Sequence, residues 1–154
     1  MSRFLILTLL AGALLPPAPI PSQDGQPFRT VVRVINGDTV MLDGDERVRL
    51  IGVDTPESVD PRRPVQRFGK ETAAFTRRMV EGRLVRLEYE QTRMDHYGRT
   101  LACVYLKDGR LLNAEIIKEG YGFAYTKYPF RFMNEFRLLE REAREARRGL
   151  WRDE

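Results

Sequence analysis

Three short segments concentrate the groups able to do chemistry. "NGDT" carries Asp38, "RLIGVDTPE" carries Arg49, Asp54, Thr55 and Glu57, and "MDHYGRT" carries Asp95, His96, Tyr97 and Arg99. A turn needs only one Asp or Asn to hydrogen-bond its own backbone. The second acid and the arginine of the middle segment exceed that need. If Asp38, Asp54 and Glu57 meet in space, three carboxylates repel and each resists ionising. A hard divalent cation resolves the repulsion, and an oxygen-only set at irregular spacing favours calcium or magnesium. With one histidine and one cysteine in the chain, a structural zinc site is excluded. A metal held by few protein groups keeps water, and a water beside Glu57 has a candidate base. Arg49 and Arg99 suit a phosphate, because a guanidinium pairs two oxygens at once and stays charged. Together these groups suit a dianionic, five-coordinate phosphorus. Tyr97 or Tyr125 is placed to stack a base. Taken singly each motif is weak. Turn chemistry is the simpler reading of each acid, and an exposed stripe shared with Arg47 and Ile51 is the simpler reading of Arg49.

The elements that must hold these groups are legible in outline. "FRTVVRVINGDTVMLDGDERVRLIGV" is rich in β-branched residues and is broken at Asn36-Gly37 and Asp43-Gly44, both hairpin signals. It predicts a three-strand meander over about 29–35, 38–43 and 46–52. The segment 59–65 holds two prolines and two arginines and is read as a loop. Phe68, Thr72, Phe75 and Met79 recur at helical spacing, predicting a helix over about 66–81 that stops at Gly82. Its other face carries Arg67, Lys70, Arg77 and Arg78. Strict alternation predicts a strand at 83–90, with Val85, Leu87 and Tyr89 inward. A further strand is expected at 99–106. A short helix is expected at 113–119, with Asn113 as N-cap and Gly120 as stop. A last helix is expected at 131–148, with Phe132, Phe136, Leu139, Ala143 and Ala146 as its buried stripe. Three strands, a helix, two strands and two helices fit an α+β fold built on a five-stranded Greek-key barrel of the OB type. A flat α+β sandwich competes.

The 154 residues suffice for one domain with a sizeable core. The single cysteine, Cys103, forbids an intramolecular disulfide and reads as a core residue. The formal charge of +4 is compatible with a polyanionic partner without demanding one. "MSRFLILTLLAGALL" joins a basic start to an apolar run of roughly 12 residues, short of the roughly 20 that span a bilayer. That is the pattern of a secretory signal peptide, and "PPAPIPSQDGQP" reads as an extended spacer. Residues 1–27 are therefore expected to be leader and spacer, and 28–154 the working domain. The chain is expected to be secreted or periplasmic, or membrane-held if the leader is not cleaved.

From 28 to 151 the chain resembles the staphylococcal nuclease family. The matching segments run in order: "NGDTV", "VRLIGVDTPE", "FGKETAAFTRRMVEG", "DHYGRTLACVY", "LNAEIIKEGYGFAY" and the closing Gly-Leu-Trp. The resemblance implies a five-stranded OB-fold barrel with three helices. It implies calcium-dependent hydrolysis of phosphodiesters in DNA and RNA, leaving 3′-phosphate ends. Asp38 and Asp54 would supply carboxylates to calcium, and Thr55 a backbone carbonyl. Glu57 would orient or deprotonate the attacking water, and Arg49 and Arg99 would bind the phosphate and stabilise the transition state. Tyr97 and Tyr125 would line the nucleotide pocket, and 59–65 would be a basic loop beside it. The substrate would be single-stranded or denatured DNA and RNA, acted on by a monomer with no stable protein partner.

The chain departs from the family pattern in places. Asn36 stands where an aspartate is frequent, His96 where a lysine is common, and Lys127 where a second pocket tyrosine is frequent. A barrel that binds single strands or a protein partner without cutting is the alternative function. Loss of the acids or arginines would mark it, and Asp38, Arg49, Asp54, Glu57 and Arg99 are all present.

Overall fold

The structure is a computed structural model that describes residues 26–58 and 67–153. The expected leader, most of its spacer and the 59–65 loop lie outside the described residues. β1 (Arg29–Asn36), β2 (Thr39–Leu42) and β3 (Arg47–Leu50) form the meander, and β5 (Leu84–Glu88) and β6 (Thr100–Leu106) follow the first helix. The five strands close into a barrel in the order β1-β2-β3-β6-β5. All pairings are antiparallel except β3 with β6, which run parallel. The hairpin signals explain the meander. Asn36-Gly37 closes β1 onto β2, and Asp43-Gly44 falls in a short 3-10 turn between β2 and β3. Alternate residues fill the interior: Val40 and Leu42 from β2, Val48 and Leu50 from β3, Val85 and Leu87 from β5. A barrel leaves no free edge, so the fold is the OB-type α+β architecture rather than the flat sandwich.

Three helices dress the barrel: α1 (Gly69–Val80), α2 (Leu112–Lys118) and α3 (Met133–Glu145). α1 packs on β1 and α2, and α3 packs on α2 and on a second, tiny sheet. That sheet pairs β4 (Val53–Asp54) with β7 (Phe123–Ala124) outside the barrel. Cys103 is buried, and burial pushes its thiol up to about 12, helped by nearby Glu90 and Glu88. A protonated buried thiol is inert.

Four expectations are corrected. Of the expected α1 stripe, Thr72 is buried and Phe75 and Met79 pack half-buried against the core, but the residues driven deepest also include Gly69, Ala73, Thr76 and Val80. Small residues let this helix approach the barrel closely, and a reading keyed to large apolar side chains passes over them. In α3 the buried residues are Phe136 and Ala143, and Ala146 is exposed because the helix ends at Glu145. The pair β4–β7 was not expected, since two residues per strand carry no periodicity.

Asn113 is not the N-cap of α2. Leu111 occupies that position, and Asn113 lies inside the helix, fully buried. Its Oδ1 accepts the Val104 N–H at 2.9 Å, and its Nδ2 donates to the carbonyls of Ile51 at 2.9 Å and Ala102 at 3.3 Å. It thus clamps the point where β3 leaves β6, directly before the turn into β4, which carries Asp54. Asn113→Ala removes a hydrogen bond from the Val104 N–H and from the Ile51 and Ala102 carbonyls and is expected to cost about 2–4 kcal/mol. Urea unfolding checks this, and a loss below about 0.5 kcal/mol, the range of a neutral surface change, would contradict the clamp.

Candidate functional site

Asp38 is placed by a tight turn pressed against α1. The Asn36 side chain accepts the Asp38 N–H at 3.2 Å, which closes the turn. Thr76 Oγ1 of α1 donates to the Gly37 carbonyl at 2.7 Å, and a Cβ at Gly37 would collide with Thr72 and Thr55. The carboxylate that results is 5 % exposed. A buried charge must be matched or it costs several kcal/mol. Here Oδ1 accepts the Thr39 hydroxyl at 2.9 Å, and Oδ2 accepts the Thr55 N–H at 3.2 Å and the Thr55 hydroxyl at 3.1 Å. Arg49 supplies the countercharge, its Nη2 lying 3.3 Å from Oδ2.

Arg49 does not share an exposed stripe with Arg47. It sits across from Thr39 in the β2–β3 ladder, and its side chain folds over the turn that follows β3. Nη1 donates to the carbonyls of Leu50 at 2.8 Å and Val53 at 2.6 Å. Nη2 also approaches Asp54 Oδ1 at 3.6 Å. One guanidinium thereby joins the two acids and fixes the backbone between them. Asp54 owes its position to the β4–β7 pairing, where it faces Phe123. Its side chain is about half open to solvent, and its carboxyl is held above the usual aspartate range, chiefly by this partial burial and then by repulsion from Asp38, with Glu57 adding to it. Arg49 and the Thr55 N–H pull the other way. Glu57 is close enough to Asp54 to act on its charge, and its Oε1 accepts the Ser58 N–H at 2.9 Å. A Cβ at Gly69 would strike the Glu57 carbonyl, so only glycine lets α1 brace this loop so closely.

Arg99 arrives from the far side of β3. It directly precedes β6, whose Thr100 pairs with Val48. Asp95 fixes it: Oδ1 accepts the N–H groups of Tyr97 and Arg99 at 2.9 Å, and Oδ2 takes Arg99 Nε at 2.7 Å. Desolvation raises the Asp95 pKa, but the backbone and side-chain hydrogen bonds from Arg99 outweigh it and hold this carboxyl below its usual value. Arg99 Nη1 reaches Thr39 Oγ1 at 3.5 Å. A continuous polar chain therefore runs Arg99–Thr39–Asp38–Arg49–Asp54. Thr39 and Asp95 are the residues that sequence reasoning did not assign. The Asp95–Arg99 spacing across a Tyr-Gly turn was the available signal for one, and for the other there was only adjacency to Asp38.

The two expected tyrosines bracket this chain. Tyr97 is 71 % exposed, with its ring 5.3 Å from the Arg99 guanidinium. Tyr125 is 37 % exposed and its N–H donates to Gly52 at 2.9 Å, which keeps it beside the Asp54 ladder. His96 lies against the Tyr97 ring at 3.8 Å. Lys127 Nζ sits 5.5 Å over the Tyr128 ring, and Tyr128 is itself 6.3 Å from Tyr125.

The donor set decides which cation would fit. Among the described residues no group of three or more His, Cys, Asp or Glu side chains is arranged as a metal cage. What the site offers is two carboxylates, Asp38 and Asp54, with the backbone of Thr55 between them. That excludes a closed, soft-ligand centre and suits a hard cation that keeps several waters. Burial is the main cause that raises Asp54, and the repulsion from Asp38 that adds to it is what such a cation relieves.

A family model described as staphylococcal nuclease homologue matches residues 47–153. The thermonuclease of Staphylococcus hyicus is 40 % identical over 125 residues, covering 79 % of this chain and 73 % of that protein. The thermonuclease of Staphylococcus intermedius is 44 % identical over 128 residues, covering 79 % and 74 %. Endonuclease YncB of Bacillus subtilis is 36 % identical over 128 residues, covering 79 % of this chain and 60 % of its own length. The matched segment includes Arg49, Asp54, Glu57 and Arg99, and both kinds of match span most of the barrel. The chain belongs to the staphylococcal nuclease homologue family.

Proposed function

We propose that this chain is a nuclease: a calcium-dependent endonuclease that hydrolyses phosphodiester bonds of single-stranded or denatured DNA and RNA and leaves 3′-phosphate ends. The nuclease activity is supported by the similar proteins named thermonuclease and endonuclease. The observation that carries the proposal is the single guanidinium of Arg49 held between Asp38 and Asp54 and joined through Thr39 to Arg99. In this reading Asp38 and Asp54 with the Thr55 carbonyl would hold calcium. When bound, the ion supplies positive charge to a phosphoryl oxygen.

The remaining chemistry belongs to the protein. Arg49 and Arg99 are anchored by carboxylates and carbonyls, so their forks meet a phosphate with little further ordering. They stabilise the extra negative charge that builds as phosphorus becomes five-coordinate. Glu57 orients the attacking water and takes its proton. Tyr97 and Tyr125 offer ring faces to the flanking nucleotide, a sequence-tolerant contact. The burial of Asp38 favours catalysis over plain strand binding. A binding module gains nothing from an acid facing the phosphate, which repels its ligand unless a cation intervenes. The N-terminal pattern supports export, to a secreted or periplasmic location.

Three outcomes test the proposal. The purified chain incubated with single-stranded DNA cuts it in calcium and stops in excess chelator, and equal cutting in chelator would remove the metal from the reaction. Glu57→Gln lowers turnover by about 10²–10⁴-fold, the usual worth of a general base, with an unchanged unfolding midpoint; near-normal turnover would take Glu57 out of the mechanism. Arg99→Lys is nearly as harmful because a point charge does not reproduce the fork. Normal cutting by that variant would reduce Arg99 to a simple electrostatic role.

A further inference from the structure

The outer face of the barrel carries a second row of arginines beside the site. In the ladder register Arg33 of β1 pairs with Met41 of β2, and Met41 pairs with Arg47 of β3. Val48 pairs with Thr100 of β6, so the row continues from Arg47 to Arg99. Residues on one rung of a sheet share a face. The parallel rung above it holds Thr39 and Arg49, so the arginine row lies one pleat from the candidate site. A bulge between Val31 and Arg33 turns Val32 outward as well, leaving it 50 % exposed beside Arg33.

The ion pairing of this row differs from that of its neighbours. Arg29, Arg86 and Arg110 are each held by carboxylates at 2.9 Å or less. Arg33 and Arg47 are exposed, and among the described residues neither takes part in an ion pair. Two always-charged forks roughly 10 Å apart, two strand spacings, thus stand open to solvent on the path away from Arg99.

We propose that Arg33 and Arg47 form a phosphate track that holds the single strand beyond the scissile bond, with Arg47 taking the phosphate nearer the site. The exposed Val32 and the half-buried Met41 give the strand's sugars and bases an apolar strip between the two forks. The identity of the occupant rests on the nuclease reading; the track itself rests on ladder register and open charge. It supplies uniform binding of long substrates and no stabilisation of the reacting phosphorus, so it acts on KM and not on kcat.

The experiment compares the full chain with the double variant Arg33→Gln/Arg47→Gln. A second double variant, Arg137→Gln/Arg141→Gln, removes the same charge from the exposed side of α3. Binding of a labelled oligothymidylate of about 12 nucleotides, within the usual single-strand site size, is measured in chelator across a range of salt. The track predicts a log–log salt slope shallower by about 1.4 in the first variant, about 0.7 for each lost phosphate contact. The α3 variant keeps the parent slope. In calcium the first variant raises KM for the same oligonucleotide about tenfold, the size of lost uniform binding, and leaves kcat and the cleavage of a dinucleotide unchanged. An unchanged slope, or an equal change in the α3 variant, overturns the track. If the parent chain cuts neither substrate while the slope still falls, the nuclease reading fails and the track stands.

Discussion

The carboxylate of Asp38 is the constraint around which the rest is arranged. It is 5 % exposed, and an unmatched charge at that depth would cost several kcal/mol. The neighbours that answer it come from three pieces of the chain. Thr39 continues its own hairpin, Arg49 comes from the next strand, and Thr55 from the loop after β4. Satisfying one buried acid therefore assembles three segments of the site at once. Arg99, just before β6, enters the same set through the Thr39 hydroxyl. Removing any one of these partners leaves the others with an uncompensated group, which is why they are expected to behave as a unit and not as additive contacts.

Second-line packing makes that arrangement possible. α1 meets the Asp38 turn and the Glu57 loop with glycine, alanine and threonine, and Thr76 donates into the turn itself. Larger residues on that face would push the turn away from Arg49. On the other side, Asn113 fastens the end of the β3–β6 pairing, and the β4–β7 ladder fixes the backbone of Asp54. The backbone that carries the acids is thus hydrogen-bonded on both sides, and rigid support of this kind holds their side chains and the Arg49 fork in one arrangement. Asp95 does for Arg99 what the Leu50 and Val53 carbonyls do for Arg49: it uses up donors that point inward and sets the orientation of the fork.

Much of this was legible in the sequence because its signals are local. Alternation in "RLVRLEYE" and the Asn-Gly turn identify strands and hairpins within a few residues, and the barrel follows from their order. The acids and arginines were visible by type. Their convergence was not, since it depends on a parallel β3–β6 pairing that no short segment encodes. The misses share a cause. α1 buries small residues deeper than its large apolar ones, Asn113 spends its amide on three distant backbone groups, and β4 and β7 exist only because each finds the other. Ala146 matches the helical period, yet the chain leaves the helix at Glu145 and turns left-handed at Arg147, where φ is +51°.

The claim that Asp38 and Asp54 together make one cation site between two arginine forks is open to a single direct measurement. Titration calorimetry with calcium, on the intact chain and on Asp54→Asn, separates the site from the fold, because the Asp54 side chain is 55 % exposed and its loss leaves the Asp38 hydrogen bonds in place. One calcium site in the parent, abolished or weakened at least about tenfold in the variant with an unchanged unfolding midpoint in chelator, is the predicted result; second-sphere and ligand changes at metal sites are typically of that size or larger. Calcium bound equally well by both proteins would contradict it.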